Sequence, residues 1–212
     1  MYYNEYKLEV RTKKDKETLV IKNVAVLGDS NSGKTAIFAK ALSLDEEKFN
    51  ALQKKGTHKS RFEDVIKAQR GPDIKDRFGM QIIEINPIDI LNGTGAGIFK
   101  SSKVAILVYN LTDPKSLKAL RYLTETTYHW NPEVYTILVG THKDLPRQIS
   151  KEEVEWFENH YFIDHSFEIS TKGKGINECE AALKLAAALV FKNIAESTDG
   201  SQPISLTNYN SH

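Results

Sequence analysis

Short continuous apolar runs alternate along the chain with segments in which apolar residues recur at helical spacing. The apolar runs, typical of strands buried on both faces, are predicted at residues 19–28, 81–85, 104–109, 134–139 and 167–169. Helices are predicted over residues 33–42, 114–128, 150–160 and 177–194, with a capping box of Ser150 and Glu153 starting the third. This alternation predicts a doubly wound α/β fold, with a mostly parallel sheet and helices on both faces.

The pattern predicts one domain without internal repeats, over residues 19–195. A polar extension, 1–18, precedes it, and a flexible tail rich in Ser, Thr, Asn and Gly, 196–212, follows. Residues 43–80 are charged and weakly periodic, which predicts long loops around a short strand near 62–68. The last helix is predicted to pack through four small or aliphatic residues, Ala181, Leu185, Ala188 and Leu189.

The composition is that of one soluble globular protein: 212 residues, 40% hydrophobic and 27% charged. Lysine and arginine number 29 against 28 acidic residues, so bulk charge gives no attraction to nucleic acid or an anionic membrane. The single cysteine, Cys179, forms no intramolecular disulfide, which fits a reducing compartment. The N-terminus lacks the apolar core of a signal peptide, and the longest strongly apolar stretch, 185–191, is shorter than a membrane span. These features predict a cytosolic protein.

Residues 28–35, Gly-Asp-Ser-Asn-Ser-Gly-Lys-Thr, have two glycines followed by Lys and Thr at the spacing of a phosphate-binding loop. Such a loop turns consecutive backbone N–H groups towards phosphate oxygens, and the following helix adds the positive end of its dipole. The cradle is predicted to comprise Ser30, Asn31, Ser32, Gly33, Lys34, Thr35 and Ala36. Lys34 would reach the β- and γ-phosphates, and the Thr35 hydroxyl would ligate Mg²⁺. The pattern arises by chance in roughly one chain of this length in a hundred.

A second polar loop, residues 140–145, follows the strand predicted at 134–139. In open α/β sheets ligands bind beyond the carboxyl ends of strands, so this loop belongs beside the phosphate loop. The Asp144 carboxylate can accept hydrogen bonds from N1–H and the 2-amino group of guanine. An aspartate in such a loop also serves as a turn former or helix cap, and the residues alone leave both roles open.

Four segments in the same order resemble the Ras superfamily of small GTPases, and within it the Rab branch, over about residues 23–191. The segments are GDSNSGKT, VAILVYNLTDPKSL, ILVGTHKDLP and EISTKGKGI. The resemblance implies a P-loop fold that binds GDP or GTP with Mg²⁺, and it assigns base recognition to Asp144. Ser170, Thr171 and Lys172 stand in the place of the family's Ser-Ala-Lys loop, whose backbone N–H meets the guanine oxygen.

The base-recognition loop departs from the family's Asn-Lys-x-Asp. Thr141 replaces the Asn that organises the loop, and His142 replaces the Lys whose stem lies along the base. His142 either stacks on the purine or is a solvated loop residue. We therefore expect guanine binding with reduced affinity or selectivity.

The hydrolytic segment departs further from the family's Asp-x-x-Gly-Gln. Alignment of residues 81–85 with the family's third strand puts Asn86, Pro87, Ile88, Asp89 and Ile90 in those places. Asn86 brings no negative charge, Asp89 brings a carboxylate towards the triphosphate, and Ile90 in the glutamine place cannot orient water. A shifted register would use Asp89 with Gly93. Slow or absent GTP hydrolysis is the expectation.

The effector loop and the end of the chain also differ from the Rab pattern. Thr57 and Phe62 keep the family's spacing, and Thr57 either completes the magnesium shell or is an ordinary loop residue. A basic patch near the nucleotide is predicted from Lys54, Lys55, His58, Lys59 and Arg61. Residues 208–212 contain no cysteine for prenylation, so no lipid anchor is predicted, although a truncated chain would look the same.

These observations predict a monomeric, Rab-like nucleotide-binding protein with unknown protein effectors or regulators and no nucleic-acid partner. The first alternative is a pseudo-GTPase interaction module that acts independently of nucleotide. A bacterial effector that imitates a host trafficking GTPase, delivered into a host cytosol, would show the same divergence. An ATP-using P-loop kinase would need a substrate lid and further basic catalytic residues that the sequence does not supply.

Overall fold

The computed structural model describes residues 7–8, 19–41, 61–62, 68–69, 77–172, 176–196 and 205–206. The strands are β1 (Lys7–Leu8), β2 (Leu19–Gly28), β3 (Arg61–Phe62), β4 (Ala68–Gln69), β5 (Arg77–Glu84), β6 (Ser102–Asn110), β7 (Tyr135–Thr141), β8 (His165–Glu168) and β9 (Ser205–Leu206). The helices are α1 (Lys34–Ala41), α2 (Pro87–Leu91), α3 (Ala96–Ser101), α4 (Pro114–Tyr128), α5 (Lys151–His160) and α6 (Ile176–Glu196). Most of the predicted extension 1–18, of the segment 43–80 and of the tail lies outside the described residues.

Five parallel strands form the centre of the sheet, in the order β8-β7-β6-β2-β5. The short strands β1, β3, β4 and β9 join it in antiparallel pairs. The apolar run 24–27 of β2 and the run 104–109 of β6 are fully buried, as expected for central parallel strands covered on both faces. The predicted doubly wound α/β fold is confirmed.

Alternate residues of each central strand contribute to two apolar layers. On one face Val104, Ile106 and Val108 of β6 pack in a cluster with residues of α1 and α6. On the other face Ala105 and Leu107 pack in a cluster with residues of α2, α3, α4 and α5. Helices therefore cover both faces of the sheet. No helix in the described part of the chain is long and apolar enough to cross a membrane.

The helix starts follow local signals in the sequence. The Asp113 side chain accepts a hydrogen bond from Lys115 N–H at 3.0 Å, and Pro114 occupies the first turn of α4. At α5 the predicted capping box is confirmed, with Glu153 N–H donating to Ser150 Oγ at 3.1 Å and Ser150 N–H donating to Glu153 Oε2 at 2.8 Å.

Two local predictions are wrong in part. The third parallel strand covers residues 77–84 rather than 81–85, and α2 and α3 occupy much of the segment that follows it. On α6 the predicted packing is confirmed for Leu185 and Leu189, which are half-buried against the core cluster, and wrong for Ala181 and Ala188, which are exposed. Among the described side chains of this helix, the buried ones are Cys179, Ala182, Leu183, Ala186 and Val190. Both sets have helical spacing, and alanine side chains are too small for the pattern to choose between them.

Tyr109 of β6 is fully buried, and its hydroxyl has no hydrogen-bond partner among the described residues. Burial raises the pKa of this phenol, so the hydroxyl keeps its proton. A buried polar group without a partner costs about 1–3 kcal/mol. We therefore expect Tyr109→Phe to raise the free energy of unfolding in urea by about 1 kcal/mol.

The control for this change is Tyr122→Phe, because the Tyr122 side chain is 58% exposed and no penalty is relieved there. A loss of stability in Tyr109→Phe would show that the hydroxyl makes hydrogen bonds in solution, through buried water for example.

Candidate functional site

The loop between β2 and α1 folds back on itself at the carboxyl end of the sheet. Ser32 donates to the Asp29 carbonyl from both its N–H, at 3.1 Å, and its hydroxyl, at 2.9 Å. Ser30 N–H donates to Asp29 Oδ1 at 2.8 Å. Helical hydrogen bonding begins at Gly33, whose carbonyl accepts from Ile37 N–H at 3.1 Å. The first N–H groups of α1 thus have no helical acceptor and give the loop a positive end.

Both glycines of the motif are required by close packing. A Cβ atom at Gly28 would overlap the carbonyl oxygen of Val108 on β6 and lie 2.7 Å from Ser32 Oγ. Gly33 has φ +91°, and a Cβ there would lie 3.3 Å from the side chain of Thr141. Close packing therefore excludes a side chain at Gly28, and the positive φ favours glycine at Gly33.

The Lys34 ammonium group lies across this loop. Its side chain is 3% exposed, and Nζ donates to the carbonyls of Gly28, at 3.0 Å, and Asp29, at 2.6 Å. Burial lowers the pKa of Lys34, although the nearby Glu84 carboxylate acts in the opposite direction. Lys34 is thus a buried cation held against the loop that would receive phosphate.

Glu84, the last residue of β5, is a site residue that the sequence analysis missed. Its Oε2 accepts from Thr35 Oγ1 at 3.2 Å, and its Oε1 lies 3.5 Å from Lys34 Nζ. The alignment instead put Asn86 at the acidic position, but Asn86 caps α2 by accepting from Ile88 N–H at 2.9 Å. The expectation that the negative charge is lost is corrected, because Glu84 brings a carboxylate to the Thr35 hydroxyl.

Thr141, at the end of β7, joins the two loops. Its hydroxyl lies 2.7 Å from the Ser32 carbonyl and 3.0 Å from the Tyr109 carbonyl, and Nδ1 of His142 lies 2.8 Å away. A hydroxyl has one proton, so when it donates to Ser32 the contact with His142 requires a proton on Nδ1. Thr141 thereby connects the phosphate loop to the base loop.

The Asp144 carboxylate is held by the loop that follows β8. Its Oδ1 accepts from Ser170 Oγ at 2.8 Å, and its Oδ2 lies 3.3 Å from Lys172 Nζ. The Ser170 hydrogen bond holds the pKa of Asp144 below its usual value, and Lys172 adds to this. Asp144 is therefore an ionised acceptor at neutral pH.

Glu178 of α6 braces the same loop. Its Oε2 accepts from Ser170 N–H at 3.1 Å, and its Oε1 pairs with Lys143 Nζ at 2.8 Å. Lys172 N–H donates to Ser170 Oγ at 3.0 Å. The Thr171 N–H has no acceptor among the described residues, so it is available to donate to a purine oxygen.

The segment after β5 is built into the core rather than facing the loops. Ile90, the residue aligned with the family's glutamine, is 1% exposed and belongs to the apolar cluster of Ile85 and Phe99. Asp89 Oδ1 accepts from Thr94 Oγ1 at 3.0 Å, closing the turn after α2. In the alternative alignment, which uses Asp89 with Gly93, the Asp89 carboxylate is already engaged in this local turn.

The other residues predicted for the site differ in their exposure, and several lie outside the described residues. Ser30 and Asn31 are exposed, Gly33, Thr35 and Ala36 are half-buried, and Ser32 is buried. Thr57 and the basic-patch residues Lys54, Lys55, His58 and Lys59 lie outside the described residues, whereas Arg61 lies in β3, where it pairs with Ile83.

The chemistry of this site fits a magnesium-bound phosphoanhydride. Among the described residues no group of three or more His, Cys, Asp and Glu side chains could hold a metal ion. The Thr35 hydroxyl and the Glu84 carboxylate are hard oxygen donors, the type that Mg²⁺ takes in small number beside phosphate and water. Lys34 and the start of α1 supply positive charge beside them.

A parallel α/β sheet with this loop, lysine and hydroxyl at one strand end defines a P-loop nucleotide-binding protein. The Ras family model matches residues 23–189, which is most of the chain. The chain therefore belongs to the Ras family of small GTP-binding proteins, whose members bind guanine nucleotide and Mg²⁺. The search of curated proteins found no match.

The hydroxyl of Thr141 gives a direct test of the connection between the loops. Thr141→Val removes it at nearly constant shape, and we expect the free energy of unfolding to fall by about 1–3 kcal/mol, because buried carbonyl acceptors lose their donor. Affinity for a fluorescent GDP analogue should fall about tenfold, because a tenfold change corresponds to the free energy of about one hydrogen bond between uncharged groups. Thr141→Ser keeps the hydroxyl and should retain most of the affinity. Equal affinities in the valine variant and the wild type would contradict the coupling.

Proposed function

We propose that this chain is an atypical, Rab-like guanine-nucleotide-binding protein that hydrolyses GTP weakly or not at all. The observation that carries the proposal is that both residues that alignment can put in the place of the family's catalytic glutamine are isoleucines: Ile90, buried in the core, and Ile88, exposed on α2. An isoleucine side chain has no polar group that could orient an attacking water. Burial of Ile90 also holds α2 in place, so no other side chain of this helix can move into the position of the glutamine.

The proposal holds in either alignment of this segment. With Asn86 in the acidic place, Ile90 takes the place of glutamine. If Glu84 takes the acidic place, as its contact with Thr35 favours, Ile88 takes the place of glutamine and Pro87 that of glycine. Proline has no N–H for the γ-phosphate, and isoleucine again cannot position water.

Nucleotide binding itself needs only groups that remain. Lys34 would contact the β- and γ-phosphates, Thr35 and Glu84 would hold Mg²⁺, and the ionised Asp144 would accept from guanine. When bound, magnesium would neutralise phosphate charge. His142, with its Nδ1 turned to Thr141, leaves Nε2 and the ring face for the base. Base affinity below that of an Asn-Lys-x-Asp loop is expected.

We further propose that the protein works through protein partners, in membrane trafficking or signalling, as a monomer in the cytosol or in a host cytosol after delivery. Support comes from α2, which begins three residues after Glu84 and in which Ile88 and Leu91 are 61% and 53% exposed. Exposed aliphatic side chains at this position are suited to partner contact.

A nucleotide-independent interaction module is the second candidate, and the fixation of α2 favours it. The helix is capped by Asn86, closed by the Asp89–Thr94 hydrogen bond and anchored by Ile90. A segment held in this way is not free to change conformation when the γ-phosphate is present or absent. Under this alternative the partner affinity is the same with GDP and GTP, whereas a switch discriminates between them.

The site assignment is tested by releasing nucleotide from purified protein with denaturant and identifying it chromatographically, after incubation with GDP and Mg²⁺. We expect guanine nucleotide in the wild type and in the control Lys118→Ala, whose lysine is exposed on α4, and its loss in Lys34→Ala. Adenine nucleotide, an empty wild-type site, or equal loading in Lys34→Ala would contradict the assignment.

Hydrolysis is measured separately by a single-turnover assay on loaded protein. The intrinsic rate of Ras is about 10⁻⁴ s⁻¹, and we expect a rate below it. A faster rate would refute weak hydrolysis while leaving nucleotide binding intact.

A further inference from the structure

A cavity of about 320 Å³ opens at the end of the sheet opposite the nucleotide loops. Phe99, Ala105 and Leu107 form its apolar floor, and Tyr128 and Tyr161 lie in its walls. Strands β6 and β7 begin beside it and end at the nucleotide loops, roughly 20 Å away at the rise of a strand. The cavity is therefore separate from the nucleotide site.

Among the described residues, the two charged side chains that line this cavity are both acidic. The Glu133 carboxylate has no partner among the described residues, and Asp164 uses Oδ2 to accept from Thr136 N–H at 2.7 Å and from Thr136 Oγ1 at 3.0 Å. No lysine, arginine or histidine is among the described residues lining it. The described lining of the cavity thus combines an apolar interior with two carboxylates and no cation.

Phe162, which also lines the cavity, has a positive φ angle, a backbone conformation that phenylalanine rarely adopts. It follows α5 with φ +51°, and its side chain is 81% exposed. Ile163 N–H donates to the Glu158 carbonyl at 2.9 Å, the helix-ending turn in which glycine usually takes this position. A bulky apolar residue that is both strained and exposed here indicates a role in contact with another molecule.

The neighbouring side chains hold the cavity walls in place. Glu125 of α4 accepts from Tyr161 Oη at 2.6 Å and from Arg121 Nε at 3.2 Å, and the Arg121 guanidinium lies 4.7 Å from the Trp156 ring centre. Burial and the Glu125 hydrogen bond raise the pKa of Tyr161 to about 12, so this contact persists at physiological pH. Tyrosine, tryptophan and arginine are the residues that most often dominate binding energy at protein interfaces.

We propose that this cavity binds a segment of a partner protein that carries a bulky apolar side chain next to lysine or arginine. The apolar side chain fills the cavity against Phe162, and the basic side chain meets Glu133 and Asp164. A second copy of this chain is a poorer occupant, because a symmetric contact would bring the carboxylates of the two copies together. Binding here uses none of the nucleotide-site residues.

The test starts with selection of peptides from a displayed library on the full-length protein. We expect enrichment of sequences with an aromatic or large aliphatic residue flanked by Lys or Arg. Dissociation constants of the selected synthetic peptide are then measured by fluorescence anisotropy. Glu133→Lys should weaken binding at least tenfold, whereas Glu155→Lys, an exposed charge reversal on α5 that does not line the cavity, should leave it unchanged.

Phe162→Gly separates a binding role from a structural one. Glycine suits the positive φ, so the thermal midpoint should stay the same or rise while peptide affinity falls at least tenfold. The proposal is overturned by failure of the selection to enrich any peptide, by enriched peptides without basic residues, or by unchanged affinity in Glu133→Lys. A lower midpoint in Phe162→Gly would show a structural role. Sedimentation showing a dimer that Phe162→Gly abolishes would make a second copy the occupant.

Discussion

Replacement of Gly28 by alanine is expected to lower the free energy of unfolding by about 3 kcal/mol, the upper part of the range for overpacking. The added Cβ would overlap the Val108 carbonyl oxygen and lie 2.7 Å from Ser32 Oγ. Gly28 is paired with Val108 in the central ladder between β2 and β6, so neither backbone can move without breaking strand pairing. The loop that faces phosphate would shift as well, and nucleotide affinity should fall at least a hundredfold.

Gly97→Ala is the matched control for this substitution. It adds the same methyl group within α3, where no atom of the described residues outside the helix backbone and the adjacent residues lies within 4 Å, and alanine in a helix is favoured over glycine by about 1 kcal/mol. Urea denaturation and titration with a fluorescent GDP analogue measure both effects. Wild-type stability in Gly28→Ala would show that the loop and β6 are farther apart than described.

The phosphate loop could be predicted because its information is local. Strand, loop and helix follow one another within residues 24–41, and each step has its own signal: a β-branched run, two glycines, then helical spacing. The parallel order of the sheet followed from the same alternation, since consecutive strands joined by helices must lie parallel.

Glu84 could not be found from the apolar pattern, because residues 81–85 contain no turn residue that marks where the strand ends. Pairing with β2 fixes that end, with Glu84 opposite Val26. A usable signal was present in Asn86-Pro87, a side-chain cap followed by proline at the first helical position. With that signal the strand ends earlier and the acidic residue of the site becomes Glu84.

Thr141 and Phe162 show a second limit. The sequence predicts that Thr141 stands in the base loop, but its hydrogen bond to the Ser32 carbonyl joins residues far apart in the chain. The positive φ of Phe162 contradicts its local preference, since nothing in a Tyr-Phe-Ile segment indicates a glycine-type turn. Such features arise only when the tertiary structure is assembled.

The substitution Ile90→Gln, which alignment alone would suggest as a repair of catalysis, is expected to destabilise the protein instead. Ile90 is 1% exposed among Ile85 and Phe99, so glutamine there loses apolar burial and also hides an amide without partners. Together these effects cost about 3–5 kcal/mol, a large part of the stability of an ordinary domain. Single-turnover GTP hydrolysis should not rise above that of the wild type.

Ile88→Gln, two residues earlier on α2, makes the identical chemical change at a side chain that is 61% exposed. Its free energy of unfolding should stay within about 0.5 kcal/mol of the wild type, because little apolar burial is lost at an exposed position and the new amide remains in water. The two variants therefore differ only in whether the substituted side chain is buried or exposed on α2. Denaturation curves measure the resulting difference in stability. If Ile90→Gln were as stable as Ile88→Gln and hydrolysed GTP faster than the wild type, position 90 would face the phosphates and its placement in the core would be wrong.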